Sequence, residues 1–177
     1  MKNILLSGPP RVGKTTLILK IVKKLKELKS VKVAGFNTSE ILKDKARVGF
    51  KITSLDGDEA TMAHLNIDSE FKVGKYKVDI EALEDVGANA LIKGKAVNAD
   101  ILIIDEIGKM ELFSDLMQLS IADALDSTKR VLGTILEAHH YFTEKIKSRE
   151  DTLIIEVTEN NRDQLVADIV KMLKMGG

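Results

Sequence analysis

The residues with the clearest chemical meaning lie near the start of the chain. Gly8-Pro9-Pro10-Arg11-Val12-Gly13-Lys14-Thr15 satisfies every fixed position of G-x-x-x-x-G-K-[ST]. Such a loop wraps its backbone N–H groups around phosphates while the helix that follows presents its positive end. Gly8 and Gly13 permit backbone angles and a close approach that a Cβ would obstruct. Lys14 is spaced to reach the β and γ phosphates, Thr15 to offer its hydroxyl to Mg²⁺, and Thr16 to add a hydroxyl or N–H near the α phosphate. Pro9 and Pro10, the only two prolines of the chain, stiffen the loop entry.

A second acidic site lies far along the chain. Ile101-Leu102-Ile103-Ile104 is a continuous apolar run that ends in Asp105-Glu106, the pattern of a Walker B element. Asp105 emerges where ligands of open α/β sheets gather and is the second expected Mg²⁺ ligand. Glu106, one residue on, points differently and suits the orientation or deprotonation of a water for in-line attack. The plain alternative for both is an acidic cap on a strand end. Gly108 permits a sharp exit, and Lys109 is either a second phosphate cation or a solvated lysine. Thr134 is either a polar sensor near the γ phosphate or an ordinary strand threonine.

Other candidates are weaker. Guanine readers use [NT]-K-x-D, and the nearest string, Tyr76-Lys77-Val78-Asp79, carries Tyr in the place of the amide or small hydroxyl. His139-His140 has no third ligand nearby in sequence, which favours a loop or helix-end role over metal binding. Asn161-Arg162 opens the last helix, so capping by Asn160 or Asn161 competes with contact to a base or ribose. Arg47, Arg149 and Arg162 are the candidates for a transition-state cation, with nothing in the sequence to rank them.

The elements that must position these groups follow from periodicity. Ile4-Leu5-Leu6 reads as a short buried strand, and from Thr15 the residues Leu17, Ile18, Ile21, Val22, Leu25 and Leu28 form one helical stripe opposite a lysine face. Strands are expected over 31–38 and 49–53, with polar turn residues 43–45 between them and a third extended piece over 61–65 after the turn 56–58. Together these suggest a small antiparallel unit on the edge of the main sheet. A helix is expected over 80–96, weakened by Gly87 and Gly94, then strand 101–104, helix 112–125, strands 131–136 and 153–157, and helix 162–173. This alternation predicts an α/β fold with a mostly parallel sheet, and 177 residues suit one domain over 1–177.

Composition narrows the field further. Lys plus Arg number 27 and Asp plus Glu 27, so no global charge draws the chain to nucleic acid or anionic lipid. The absence of Cys excludes disulfides, thiol nucleophiles and cysteine metal sites. No apolar run approaches the roughly 20 residues of a membrane span. The first six residues begin like a signal peptide, but Ser7-Gly8-Pro9-Pro10 interrupts them too early. A cytoplasmic, monomeric protein is expected, with neither nucleic acid nor membrane as partner.

The motifs taken together resemble a known group, the THEP-type nucleoside-triphosphatases, called cancer-related nucleoside-triphosphatase in eukaryotes. The resemblance rests on 8–17, on Gly35-Phe36-Asn37-Thr38-Ser39-Glu40 with Arg47-Val48-Gly49-Phe50, on 73–78, on Ile104-Asp105-Glu106-Ile107-Gly108-Lys109-Met110-Glu111-Leu112, and on Asn161-Arg162-Asp163. It implies a P-loop fold with a RecA-like central sheet flanked by helices. It also implies Mg²⁺-dependent hydrolysis of ATP, GTP, CTP and UTP with loose base selectivity, and nucleotide contacts in 8–16 and around Asp105, Glu106, Ile107 and Gly108. Arg11 departs from the family, which usually has Gly there. Two rivals stay open from the sequence: a nucleotide or small-molecule kinase, although the five arginines form no lid-like cluster, and a binding switch timed by slow hydrolysis.

Overall fold

The computed structural model describes residues 2–175. Its centre is a nine-stranded sheet in the order β5-β6-β4-β3-β2-β7-β8-β1-β9. The strands are β1 (Asn3–Ser7), β2 (Val33–Lys43), β3 (Ala46–Ser54), β4 (Glu59–His64), β5 (Lys72–Val73), β6 (Tyr76–Val78), β7 (Ile101–Ile107), β8 (Arg130–Ile135) and β9 (Thr152–Glu156). β2, β7, β8, β1 and β9 run parallel, and β3, β4, β6 and β5 continue the sheet antiparallel beyond β2. The α/β class and the antiparallel extension expected from the sequence are both present.

The parallel strands are apolar on both faces because helices cover both. On one face Ile4, Leu6, Ile101, Ile103 and Leu132 pack with Leu17, Ile18 and Ile21 of α1 (Lys14–Glu27) and Ile169 of α6 (Arg162–Met175). On the other, Leu5, Leu102, Ile104 and Val131 meet Leu83, Leu91, Met117 and Ile121. Each fully buried Leu or Ile stabilises the fold by about 1.5–3 kcal/mol before chain entropy is counted.

The helical stretch 80–96 is not uniform. A single turn, α2 (Ile80–Ala82), leads through a π-helical segment (Leu83–Ala88) into α3 (Asn89–Ala96). The glycines that weakened this expectation mark its closest packing. A Cβ on Gly94 would stand 2.7 Å from the Ala34 Cβ, and one on Gly87 2.2 Å from the end of Met117. The helix expected over 112–125 begins later, at Asp115, where the Ser114 hydroxyl caps α4 (Asp115–Asp126) by accepting from Met117 N at 3.0 Å; Glu111–Phe113 form a 3-10 turn instead.

β2 runs five residues past its expected end because it joins the parallel and antiparallel parts of the sheet. Val33 to Asn37 pair with β7, while Phe36 to Lys43 pair with β3. Its turn holds Asp44 and Lys45 at φ 50 and 63, the twisted two-residue hairpin that matches strand twist. The short β5, β6 and α5 (Tyr141–Lys147) were not expected; two or three residues of strand carry no readable period. Among the described residues no helix is long and apolar enough to cross a membrane.

Candidate active site

β8 lies between β1 and β7, and the register places Leu6 opposite Thr134 and Asn37 opposite Asp105. The carboxyl ends of β1, β7 and β8 therefore open at one level, beside Asn37 in the middle of β2, and the phosphate-loop residues and both acidic residues meet there.

The loop leaves β1 at Ser7. Gly8 has φ 133, and a Cβ on it would fall 2.7 Å from the Val157 carbonyl oxygen, so both conformation and space require glycine. Gly13, with φ 107, stands at the N-cap of α1, where a side chain would find room but not an easy backbone angle. Arg11, where the resemblance implied glycine, has φ 66. That left-handed angle is one that glycine adopts more readily than a residue with a side chain. Val12 is buried beneath the loop, and its carbonyl accepts from Arg162 Nη1 at 3.2 Å, which ties the start of α6 to the loop. Lys14 Nζ donates to the carbonyls of Gly8 at 2.6 Å and Pro9 at 3.1 Å. Its ammonium is thus held across the loop, next to the amides.

Asp105 is wholly buried. Its Oδ1 accepts from the Thr134 hydroxyl at 2.7 Å, and its Oδ2 has no hydrogen-bond partner in the protein. Burial pushes its carboxyl up to about 6, against the Thr134 hydrogen bond and the nearness of the Thr15 hydroxyl, which favour the charged form. A carboxylate with one buried, unsatisfied oxygen beside the Thr15 hydroxyl fits a hard oxygen-seeking cation such as Mg²⁺. Among the described residues no group of three or more His, Cys, Asp or Glu could hold a metal ion. Thr134 is therefore a partner of Asp105 rather than a free sensor.

Glu106 follows across a cis peptide bond and lines the large cavity. Burial raises its carboxyl and the Lys14 charge lowers it. Ile107 is buried in the apolar core and Gly108 donates its N–H to Glu111 Oε2 at 3.1 Å, so neither presents a side chain to the cavity. Glu111 is itself buried, and its carboxyl is pushed up to about 8 by burial and by the nearby Glu106.

The large cavity, about 830 Å³, has the phosphate loop on one wall and the antiparallel extension on the other. Thr38, Ser39 and Glu40 of β2 and Arg47 and Phe50 of β3 form that second wall. The Arg47 guanidinium is fixed there by Glu40 at 2.6 Å and the Tyr76 hydroxyl at 3.0 Å, over the Phe50 and Tyr76 rings. Arg149 is bonded to Asp126 and Asp151 instead, and Arg162 to the loop carbonyl. Thr38, Ser39, Glu40, Phe50 and Glu111 were not singled out as functional in the sequence, although all five lie in blocks shared with the resembled family. His140 caps α5, accepting from Phe142 N at 3.2 Å, and Asn161 folds back on Thr158 N and the Glu156 carbonyl ahead of α6.

A family model described as NTPase matches residues 3–170. The chain belongs to this NTPase family. Within it, the chain is 42% identical over 172 residues to nucleoside-triphosphatase THEP1 of Thermotoga sp. (strain RQ2), covering 97% of this chain and 95% of that one. It is 34% identical over 181 residues to the human cancer-related nucleoside-triphosphatase, covering 96% and 95%. The crystal structure of THEP1 from the hyperthermophile Aquifex aeolicus superposes with a TM-score of 0.86 at 32% identity, over 97% of this chain and 99% of that one. The solution structure of the human NTPase family member gives 0.85 at 34% identity over the whole of both chains. The P-loop fold that the sequence resemblance implied is thereby established.

Proposed function

We propose that the chain acts as one cytoplasmic, monomeric nucleoside-triphosphatase domain, which hydrolyses ATP, GTP, CTP and UTP to the diphosphate and phosphate with Mg²⁺. The observation that carries this reading is the buried Asp105 with its unpartnered Oδ2, set beside Thr15, Lys14 and Glu106. Names and family membership of the relatives support the reaction class.

The triphosphate enters between the loop and the extension. Lys14 exchanges its two carbonyl partners for phosphate oxygens, and the loop amides and α1 stabilise charge that develops on the transferring group. Thr15 and Asp105 would hold Mg²⁺, which would supply positive charge against the triphosphate. Glu106 orients the attacking water and takes its proton; a carboxyl raised by burial is the better base for it. Arg47, held rigidly across the cavity, supplies the opposing cation. Loose base selectivity follows from the wall available to the base. Among the described residues the cavity is lined by no Asn or Gln, and the apolar faces of Phe50 and Leu19 accept any base.

The test is phosphate release from the four triphosphates, with Mg²⁺ and with a chelator. Comparable rates within about tenfold, abolished by chelation, are expected. Release that persists without divalent metal, or that requires a phosphorylated acceptor, contradicts the proposal.

A further inference from the structure

On the far side of Glu106 the structure holds two more cavities. The inner one, about 330 Å³, starts at Gly8, Lys14 and Glu106 and reaches Lys109 and Leu136. The outer one, about 550 Å³, shares Lys109 and Leu136 with it and opens at Lys72, His139 and His140. Lys14 and Glu106 also line the nucleotide cavity. Lys14 and Glu106 are thus bordered by cavities on two sides, and Lys109 is shared by the inner and outer ones.

The outer cavity has the chemistry of an anion site. Among the described residues Lys72 and Lys109 take part in no ion pair and no side-chain hydrogen bond, unlike Lys51, Lys95 and Lys147. His140 Nδ1 accepts from Phe142 N at 3.2 Å, which leaves Nε2 as the protonated nitrogen, a donor. The carboxylates nearby are accounted for or lie deeper. Glu144 pairs with Lys147 and His139; Glu137 and Glu106 line the inner cavity and not the outer one, and Glu111, whose N–H partner is Gly108, lies with Glu106 in a third cavity that shares Val73, Lys109 and Leu136 with the outer one. Leu112 and Phe113 add an apolar wall, and the volume is that of a small-molecule site.

We propose that Lys72, Lys109 and His140 form a subsite for a phosphate group behind the reacting centre. This deepens the hydrolysis reading and rests on it. The phosphate has two sources: the orthophosphate product on its way out, or a phosphomonoester brought to the γ phosphate as an acceptor. In the second case a monoester oxygen bonds to the γ phosphorus, the bond to the β–γ bridging oxygen breaks, and the nucleoside diphosphate leaves with that electron pair. No proton or further reactant is needed.

The experiment uses protein saturated with Mg²⁺ and a non-hydrolysable triphosphate, so that the loop and γ position are filled. Orthophosphate, AMP and adenosine are then titrated by calorimetry, with the His139 and His140 imidazole resonances as a second readout. Binding of orthophosphate or AMP, silence of adenosine, and at least a tenfold weakening in Lys72→Ala and Lys109→Ala are expected. AMP at least tenfold tighter than orthophosphate identifies the monoester as ligand; equal affinities identify the product. Absence of both anions, or affinities unchanged in the two variants, overturns the subsite. Failure of the triphosphate itself to bind would instead strike at the hydrolysis reading, so the two failures are distinguishable.

Discussion

Thr134 and Asp105 meet inside the sheet: the Thr134 hydroxyl donates to Asp105 Oδ1 at 2.7 Å, and both side chains are fully buried. The bond occupies Oδ1 and leaves Oδ2 as the oxygen without a partner. It depends on β8 standing next to β7, since only that neighbour brings a hydroxyl to this level.

Thr134→Val removes the hydroxyl and keeps the shape, leaving a second carboxylate oxygen without a partner. An unfolding free energy lower by about 1–3 kcal/mol is expected, with a higher Mg²⁺ concentration for half-maximal hydrolysis. Thr134→Ser should recover most of both. Denaturant unfolding and a Mg²⁺ titration check this, and wild-type values in the Val variant would contradict it.

Arg11 has φ 66, a left-handed angle that disfavours a side chain by about 1–2 kcal/mol. Arg11→Gly relieves that strain while loosening the unfolded chain, so an unfolding free energy between unchanged and about 1 kcal/mol higher is expected. Loss of the exposed charge should weaken triphosphate binding a few-fold at low salt and less at high salt. A variant destabilised by more than about 1 kcal/mol would show that the Arg11 side chain makes a stabilising contact outweighing the strain.

Arg47→Ala leaves the loop and Asp105 in place and removes the fixed guanidinium. Turnover about 100-fold lower with triphosphate affinity changed far less is expected if Arg47 acts on the transition state. An increase in KM at unchanged kcat would assign Arg47 to ground-state binding alone.

Glu111 contributes to the pH dependence of stability around this site, as Asp105 and Glu106 do in the same sense. Its folded carboxyl, pushed up to about 8, holds its proton more tightly than the unfolded chain, whose Glu titrates near about 4.3. The contribution is therefore complete below that ordinary value and is lost as pH rises through the folded one, with no further loss beyond. Glu111→Gln cannot ionise and keeps an acceptor for Gly108 N. The melting-temperature difference between variant and wild type should move in favour of the variant from pH 5 to pH 8. Parallel curves over that range would contradict the assignment.

The sequence made the loop legible because its chemistry is local: Gly8, Gly13, Lys14 and Thr15 act within eight residues. Asp105 was legible for a related reason, since an apolar run ending in acid is a buried strand reaching its carboxyl end. Arg47, Thr38 and Phe50 were not ranked, because their place at the site depends on a hairpin folding back over the loop. Thr134 was ambiguous until its strand was seen between β1 and β7. Glu111 was hidden for the opposite reason to Asp105: a charged residue at the start of a helical pattern reads as solvated, and only tertiary packing buries it.

The most direct test of the account is single-turnover phosphate release by Glu106→Gln with Mg²⁺ and ATP, alongside nucleotide binding. Binding within about threefold of wild type, with release slowed about 10²–10⁴-fold, is the predicted result. Release at the wild-type rate with binding intact would remove Glu106 as the residue that prepares the water, and with it the proposed division of labour at the end of β7.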